Sequence, residues 1–354
     1  MPDHTNDTTS APAGTIVEGL RAAITDEMDA NDGVFVVGED ISQGGAFQAS
    51  VGLLDRYGAE RVVDAPISEG AIVGMSVGAA MRGLHPIVDF QYGDFLYAAA
   101  DQLIQEATKL RYMSGGQVAV PMLIHLPTGA SGRGAQHANC LEASFFGVPG
   151  LRIVTPTTPS DTAGLMRTAL RDPNIVLFCI HKSLYGTEGR ELLYPETSTG
   201  DIGGTEAIPY GSARIARDGT DITVVANLLM LHRSLAVAEQ VARSGVSLEV
   251  IDPRTIVPFD IDAVADSVAR TGRLLTVEES PRRAGWGGYL IGELARRGSL
   301  RDVAVERIAA PDLPVPFAPN LERSVIPSEA QISEAVTRLM EHQPASGDTV
   351  GAQA

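Results

Sequence analysis

The chain has 354 residues, 44% of them hydrophobic, enough to bury a core in each of two domains. A formal net charge of -17 argues against nucleic acid or an anionic membrane as the main partner, and no apolar run approaches the roughly 18 residues needed to span a bilayer. The first fifteen residues lack the basic and apolar regions of a secretory leader, and Cys140 and Cys179 have no metal-ligand spacing, so a reducing, cytoplasmic setting is expected.

Residues 1–15 read as a disordered tail. Ile16 to Met28 is predicted as an amphipathic helix, with Ile16, Leu20, Ala23 and Ile24 on one side. Val34 to Val37 is a short buried strand that stops at Gly38-Glu39-Asp40. Asp64-Ala-Pro-Ile-Ser-Glu69 then leads into an apolar stretch with glycines at 70, 74 and 78, which on a helix form one bare stripe open to close approach. Ser68 is the expected N-cap and Glu69 falls in the first turn. A carboxylate carried into an apolar wall must be paired, protonated or used. A capping acid on a buried helix accounts for the stretch equally well.

Ala99 to Met113 is expected to be helical, with Leu103, Ile104, Ala107 and Leu110 at core spacing. Gln117 to Ile124 and Leu151 to Val154 read as strands, Pro159 to Arg171 as a helix, and Ile175 to Ile180 as a buried strand. Short apolar strands alternating with helices predict a parallel sheet covered on both faces. This first domain is assigned to 16–186. Residues 187–209 lose all periodicity and are taken as the linker.

The domain at 210–341 repeats the alternation. Its strands are Asp221 to Ala226, Ser247 to Ile251, Arg273 to Val277 and Val303 to Ile308. Its helices are Leu231 to Arg243, Asp260 to Ala269, Gly288 to Arg297 and Ser328 to Glu341. The chain is therefore read as α/β, two doubly wound domains, with 342–354 a second disordered tail. Near Gly285 to Gly288 a helix N-terminus could receive an anion. Trp286 reads as packing.

Open parallel sheets bind ligands beyond the carboxyl ends of their strands. Glu39, Glu69 and the segment Asp89-Phe-Gln-Tyr-Gly-Asp-Phe95 all follow such ends. The last mixes aromatic rings with amide and carboxylate groups, as a pocket for a flat heterocycle does, although an aromatic-rich strand end in a core looks the same. Residues 127 to 140 form a glycine-rich loop leading to His137, whose imidazole is suited to proton transfer. His85, His125, His181 and His232 are taken as structural. The first strand ends in Gly-Glu-Asp rather than Gly-x-Gly-x-x-Gly, which disfavours a nicotinamide-binding protein.

Taken in order, Gly38-Glu-Asp40, Asp64 to Glu69, Phe90-Gln-Tyr-Gly-Asp-Phe95, Asp101-Gln102, Arg111-Tyr-Met-Ser-Gly115, Gln136-His137, Pro149-Gly-Leu151, Arg254 to Asp260 and Leu321-Glu322 carry a resemblance. From about Ile16 to Met340 the chain resembles the beta subunit of the thiamine-diphosphate-dependent decarboxylase component of 2-oxo acid dehydrogenase complexes, of pyruvate, branched-chain or acetoin type. The resemblance implies an N-terminal thiamine pyrimidine-binding domain and a C-terminal transketolase-like domain. Glu69 would hydrogen-bond the ring nitrogen of the aminopyrimidine, converting its amino group to the imine that generates the carbanion. Phe95 would stack on the pyrimidine, with Ile67, Ser68 and Gln91 lining it and Glu39 nearby. His137, with Tyr92, Asp94, Gln136 and Asn139, would face the substrate. A potassium ion could be held around Met122, Ala169, Leu170, Asp172 and Asn174.

No Gly-Asp-Gly occurs, so the resemblance implies that an alpha subunit supplies the Mg²⁺ ligands within an α2β2 heterotetramer. A lipoyl acyltransferase core and a small 2-oxo acid would be the other partners. Three positions depart from the family pattern: Ala138-Asn139 in place of Ser-Gln, Ile180 before His181-Lys182 in place of Glu, and His125 in place of Arg. These leave the substrate and the acyl acceptor open. An acetoin-cleaving or acyloin-type thiamine enzyme, or a non-catalytic assembly subunit, stands as the alternative.

Overall fold

Thr15 and Glu18 close a capping box at the start of the first helix, Ile16–Ala30: Thr15 N–H donates to Glu18 Oε2 at 2.7 Å, and Glu18 N–H to Thr15 Oγ1 at 3.4 Å. The structure is a computed structural model that describes residues 13–202, 204, 206–283 and 285–342. Residues 1–12 and 343–354, most of both expected tails, lie outside that set. Residues 13–15 are not tail. Ala13 and Gly14 pair antiparallel with Asp201 and Gly200, and Thr15 is the helix cap.

Two compact units emerge. One runs through Pro127 and resumes at Val148–Tyr210; the other consists of Thr128–Gly147 and the chain from Gly211. The packing units differ from the expected sequence domains in two places. Thr128–Gly147 groups with the second unit, where Ala130 and Gly132 donate their N–H groups to Glu279 and Glu322. Residues 187–209 stay with the first unit rather than linking the two. Ile208 closes onto the helix Pro159–Leu170, its N–H on Gly164 O at 3.1 Å and its carbonyl accepting Thr168 Oγ1 at 2.6 Å.

In the first unit the parallel strands lie in the order Arg152–Val154, Ile175–His181, Met122–Thr128, His85–Asp89, Val34–Gly38, Val62–Asp64. Met122–Thr128 and Ile175–His181 are buried at every position, as strands covered on both faces must be. The strand expected at Gln117 starts only at Met122, since Pro121 has no N–H to give a ladder. Helix Ile16–Ala30 packs on helix Pro159–Leu170 through Gly19, where a Cβ would come within 2.5 Å of Pro159 O. The region expected as one helix from Ala99 to Met113 is entered by a 3₁₀ stretch Gly93–Ala99 and continues as a π-helical turn Gln102–Ala107 and an α-helix Thr108–Met113. All three keep apolar groups recurring at nearly the same spacing, so periodicity alone does not separate them.

The second unit holds a five-stranded sheet in the order Ala304–Ala310, Arg273–Pro281, Ile222–Ala226, Leu248–Asp252, Arg214–Arg217. Its pairs are parallel except at the last strand, an antiparallel edge that sequence reasoning missed. Four residues with arginine at each end give little strand signal. Helices Leu228–Ala242, Ile261–Thr271, Trp286–Arg296 and Glu329–Glu341 accompany it. Trp286 is fully buried as packing, its Nε1–H on Asn227 Oδ1 at 3.3 Å. The N-terminus of its helix receives an anion from the chain itself: Glu278 Oε1 accepts Gly287 N–H at 3.2 Å. Among the described residues no helix is long and apolar enough to cross a membrane.

Candidate active site

Register brings the strand ends of the first unit level. Gly38 lies opposite Asp64 on one side and Asp89 on the other, and Asp89 lies opposite His125. Glu39 and Asp40 follow immediately. Asp40 has a left-handed backbone (φ 55°) and accepts Gln91 Nε2–H at 2.9 Å, which ties the first strand end to the third. Ser42 donates its N–H to Asp64 Oδ1 at 2.8 Å, and hydrogen bonding from Ser42 holds that carboxyl below its ordinary range.

Glu69 is the first residue of helix Glu69–Met81. Ser68 occupies the cap position, but its hydroxyl makes no capping hydrogen bond. Glu69 is half-buried. The helix turns Ser76, Val73 and Val77 inward while Met75 stays 50% exposed, and Ile67 just before it is 81% exposed. The glycine stripe is only partly open, since Gly70 and Gly74 lie against the Gln102 side chain. Burial, then the charge of Glu69, then that of Asp40 push the Glu39 carboxyl above the usual range. Glu39 and Glu69 are therefore electrostatic neighbours.

Phe95 is half-buried, its N–H on Tyr92 O at 3.1 Å and its ring 5.9 Å from that of Tyr92 at 64°. Asp94, expected to face substrate, is buried instead. Its Oδ2 lies 3.5 Å from Nζ of the equally buried Lys182. Lys182 Nζ also stands 5.5 Å from the Tyr92 ring centroid. Sequence reasoning noted Lys182 only as part of the altered strand end. Its position at the carboxyl end of strand Ile175–His181 was the available signal.

Gln136, His137 and Asn139 sit on the segment that belongs to the second unit. His137 N–H donates to Gly134 O at 3.1 Å, and Asn139 Nδ2 to Ala135 O at 3.2 Å. Gln136 is exposed, while His137 and Asn139 are half-buried. At the suggested potassium position, Asp172 Oδ1 accepts both N–H and Nδ2–H of Asn174 at 2.8 and 2.7 Å, and Asp172 N–H donates to Ala169 O at 3.3 Å. Leu170 ends the preceding helix and Met122 opens its strand. Among the described residues no group of three or more His, Cys, Asp or Glu could hold a metal ion.

Residues 14–188 match the transketolase pyrimidine-binding domain and residues 211–332 the transketolase C-terminal domain. The chain is 40% identical to the pyruvate dehydrogenase E1 component subunit beta of Rhizobium meliloti, over 92% of this chain and 71% of that protein. It is 39% identical to the beta subunit of acetoin:2,6-dichlorophenolindophenol oxidoreductase of Cupriavidus necator, over 91% and 96%. It is 36% identical to the 2-oxoisovalerate dehydrogenase subunit beta of Bacillus subtilis, over 92% and 98%. A solved split-gene transketolase, an inactive beta4 tetramer, shares the fold with a TM-score of 0.72 at 18% identity, covering 92% of this chain and 98% of that one. With both domains matched and relatives aligned along nearly its whole length, the chain belongs to the thiamine-dependent, transketolase-like family of E1 beta subunits of 2-oxo acid dehydrogenases.

Proposed function

We propose that this chain works as the beta subunit of a thiamine-diphosphate-dependent enzyme for oxidative decarboxylation of pyruvate or a branched-chain 2-oxo acid, with acyl transfer to a lipoyl group. The observation that supports this best is the placement of Glu39 and Glu69 after adjacent strand ends, where the charge of Glu69 raises Glu39, beside partly open apolar side chains. A half-exposed acid next to an isoleucine left 81% in water, with half-buried Phe95 following the third strand end, offers a carboxylate and apolar surface to a flat basic ring. That donor set fits an aminopyrimidine.

Thiamine diphosphate, when bound, supplies the nucleophilic carbon and the electron sink for decarboxylation. Glu69 would hydrogen-bond the ring nitrogen and share its proton, with Glu39 as a second acid nearby. Phe95 would stack, and Ile67, Ser68 and Gln91 would line the ring. His137, Gln136 and Asn139 would hold the substrate carboxylate or move a proton during acyl transfer. Tyr92 and Asp94 are carried over from the resemblance as substrate-facing groups. Mg²⁺ ligands come from an alpha subunit in an α2β2 assembly that docks on a lipoyl acyltransferase core in the cytoplasm. The potassium position rests on the resemblance alone, and Arg152 Nε, 3.6 Å from Asp172 Oδ2, already brings positive charge there. An acyloin-cleaving activity is the second reading, since the acetoin relative is as similar as the pyruvate ones.

The test is co-expression with the alpha-type subunit and assay with pyruvate, branched-chain 2-oxo acids and acetoin, using an artificial electron acceptor. Glu69→Gln is expected to assemble normally and to lose about 10²–10⁴-fold in turnover. Full activity in that variant would overturn the reading.

A further inference from the structure

At the root of the loop that carries His137, one hydroxyl has more partners than protons. Thr128 Oγ1 lies 2.9 Å from Glu142 Oε2 and 3.1 Å from Asn139 O, and it accepts Leu141 N–H at 3.2 Å. A threonine hydroxyl offers one proton and two lone pairs. Asn139 O and an ionised Glu142 both only accept, so they compete for that one proton. Both contacts are hydrogen bonds at once only when the carboxyl brings its own. An ionised Glu142 competes for the Thr128 proton and leaves Asn139 O with the longer bond from Gly129 N–H, 3.2 Å.

The surroundings favour the protonated acid. Glu142 is buried, and the charges of Glu279 and Glu278 on strand Arg273–Pro281 act on it. Burial, reinforced by those two charges and opposed by hydrogen bonds from its own N–H and from Thr128, pushes Glu142 up to about 7. Glu278 is answered by Arg307, Nε to Oε1 2.8 Å, by Gly287 N–H and by Ser280 Oγ–H. Glu279 is occupied with the loop itself, accepting Ala130 N–H at 2.6 Å. Glu322, on the short helix Pro319–Val325, accepts Gly132 N–H with both oxygens, at 2.9 and 3.2 Å. Carboxylates from three elements thus hold one loop, and only Glu142 must be neutral to do so.

We propose that Glu142 is a positioning residue whose protonated carboxyl locks the 129–139 loop to Thr128, so that one buried proton sets how firmly His137 is held. The inference rests on the reading of His137 as a substrate-facing group. As pH rises through neutrality the lock loosens, because Thr128 turns from Asn139 to the ionised Glu142.

The experiment is amide hydrogen exchange of the full chain over 129–139, corrected for intrinsic base catalysis, at about pH 6 and about pH 8. Protection is expected to fall at least about tenfold between them, the change carried by one unit of pKa. Glu142→Gln, whose amide donates to Thr128 at either pH, should keep the acidic-side protection throughout. Thr128→Val should show the weakened protection at both. Within the assembled enzyme, KM is expected to rise with pH in the parent and to stay level in Glu142→Gln, with kcat less affected. Equal protection at both pH values in the parent, or a Glu142→Gln variant that loses protection as the parent does, overturns the proposal. A His137→Ala enzyme with full turnover would remove the role of His137 while leaving the lock standing on the exchange data.

Discussion

Asp89 and His125 face each other in register on neighbouring parallel strands, Oδ1 and Nδ1 2.7 Å apart, and the second imidazole nitrogen lies 2.8 Å from Tyr185 OH. All three are buried. Burial, then the Asp89 charge, pushes the Tyr185 hydroxyl well above its usual range. Tyr185 in turn packs on Phe47 at 4.5 Å, and Phe47 reaches Tyr92 at 6.0 Å, next to Phe95. His125 therefore joins Asp89 through Tyr185 to the run of aromatic rings that ends at Phe95. His125→Leu would leave two buried polar partners stranded and should destabilise the chain by about 2–4 kcal/mol; Tyr185→Phe should cost about 1 kcal/mol. Urea unfolding measures both, and a His125→Leu midpoint equal to the parent's would show that the bridge contributes nothing.

Gly19 offers a sharper test of helix packing. In an exposed helix, glycine to alanine stabilises by about 1 kcal/mol. Here the added Cβ would come within 2.5 Å of Pro159 O, on a backbone that cannot swing away. Gly19→Ala should therefore destabilise by about 1–3 kcal/mol, inverting the usual sign. A variant more stable than the parent in the same unfolding assay would mean that the two helices meet elsewhere.

The sheet and the start of the Glu69 helix were legible because they obey local rules. Val34 to Val37 is an uninterrupted apolar run, and Ser68-Glu69 precedes a long apolar stretch. Local rules failed where tertiary partners decide. Nothing near Asp94 reveals that Lys182 will neutralise it, and nothing near Glu142 reveals Glu278 and Glu279. Ile67 and Met75 stand exposed, and an apolar side chain in a sequence does not say whether its own chain covers it. The Gly93 to Met113 region kept its apolar spacing while the backbone passed through 3₁₀, π and α turns, a difference of hydrogen bonding that side-chain pattern does not encode.

Glu142 also ties stability to pH. Its folded value of about 7 stands above the ordinary 4.5, so its contribution is full below about 4.5 and is lost as pH climbs through 7. The difference of about 2.5 units amounts to roughly 3 kcal/mol for this fully buried group. Glu278, raised chiefly by burial and opposed by Arg307, acts in the same sense. Denaturant midpoints should fall from about pH 6 to about pH 8, and Glu142→Gln should flatten that slope. A parent whose stability rises across this window would contradict the assignment.

The neighbourhood of Glu39 and Glu69 can be read without any cofactor. Burial raises Glu39 first, and the charges of Glu69 and Asp40 add to it. Glu69→Gln removes one of the two charges and leaves the burial and Asp40 in place. Glu39 should therefore titrate at lower pH in the variant, still above a free glutamate, and carboxyl ¹³C resonances in the free chain report it directly. Asp40→Asn should shift Glu39 in the same direction by less, because its charge is the smaller of the two causes. The order matters as much as the direction. If Asp40→Asn moved Glu39 and Glu69→Gln did not, the acid at the helix start would be too far from the first strand end to share a bound ring with it, and the pairing on which the proposed chemistry depends would fail.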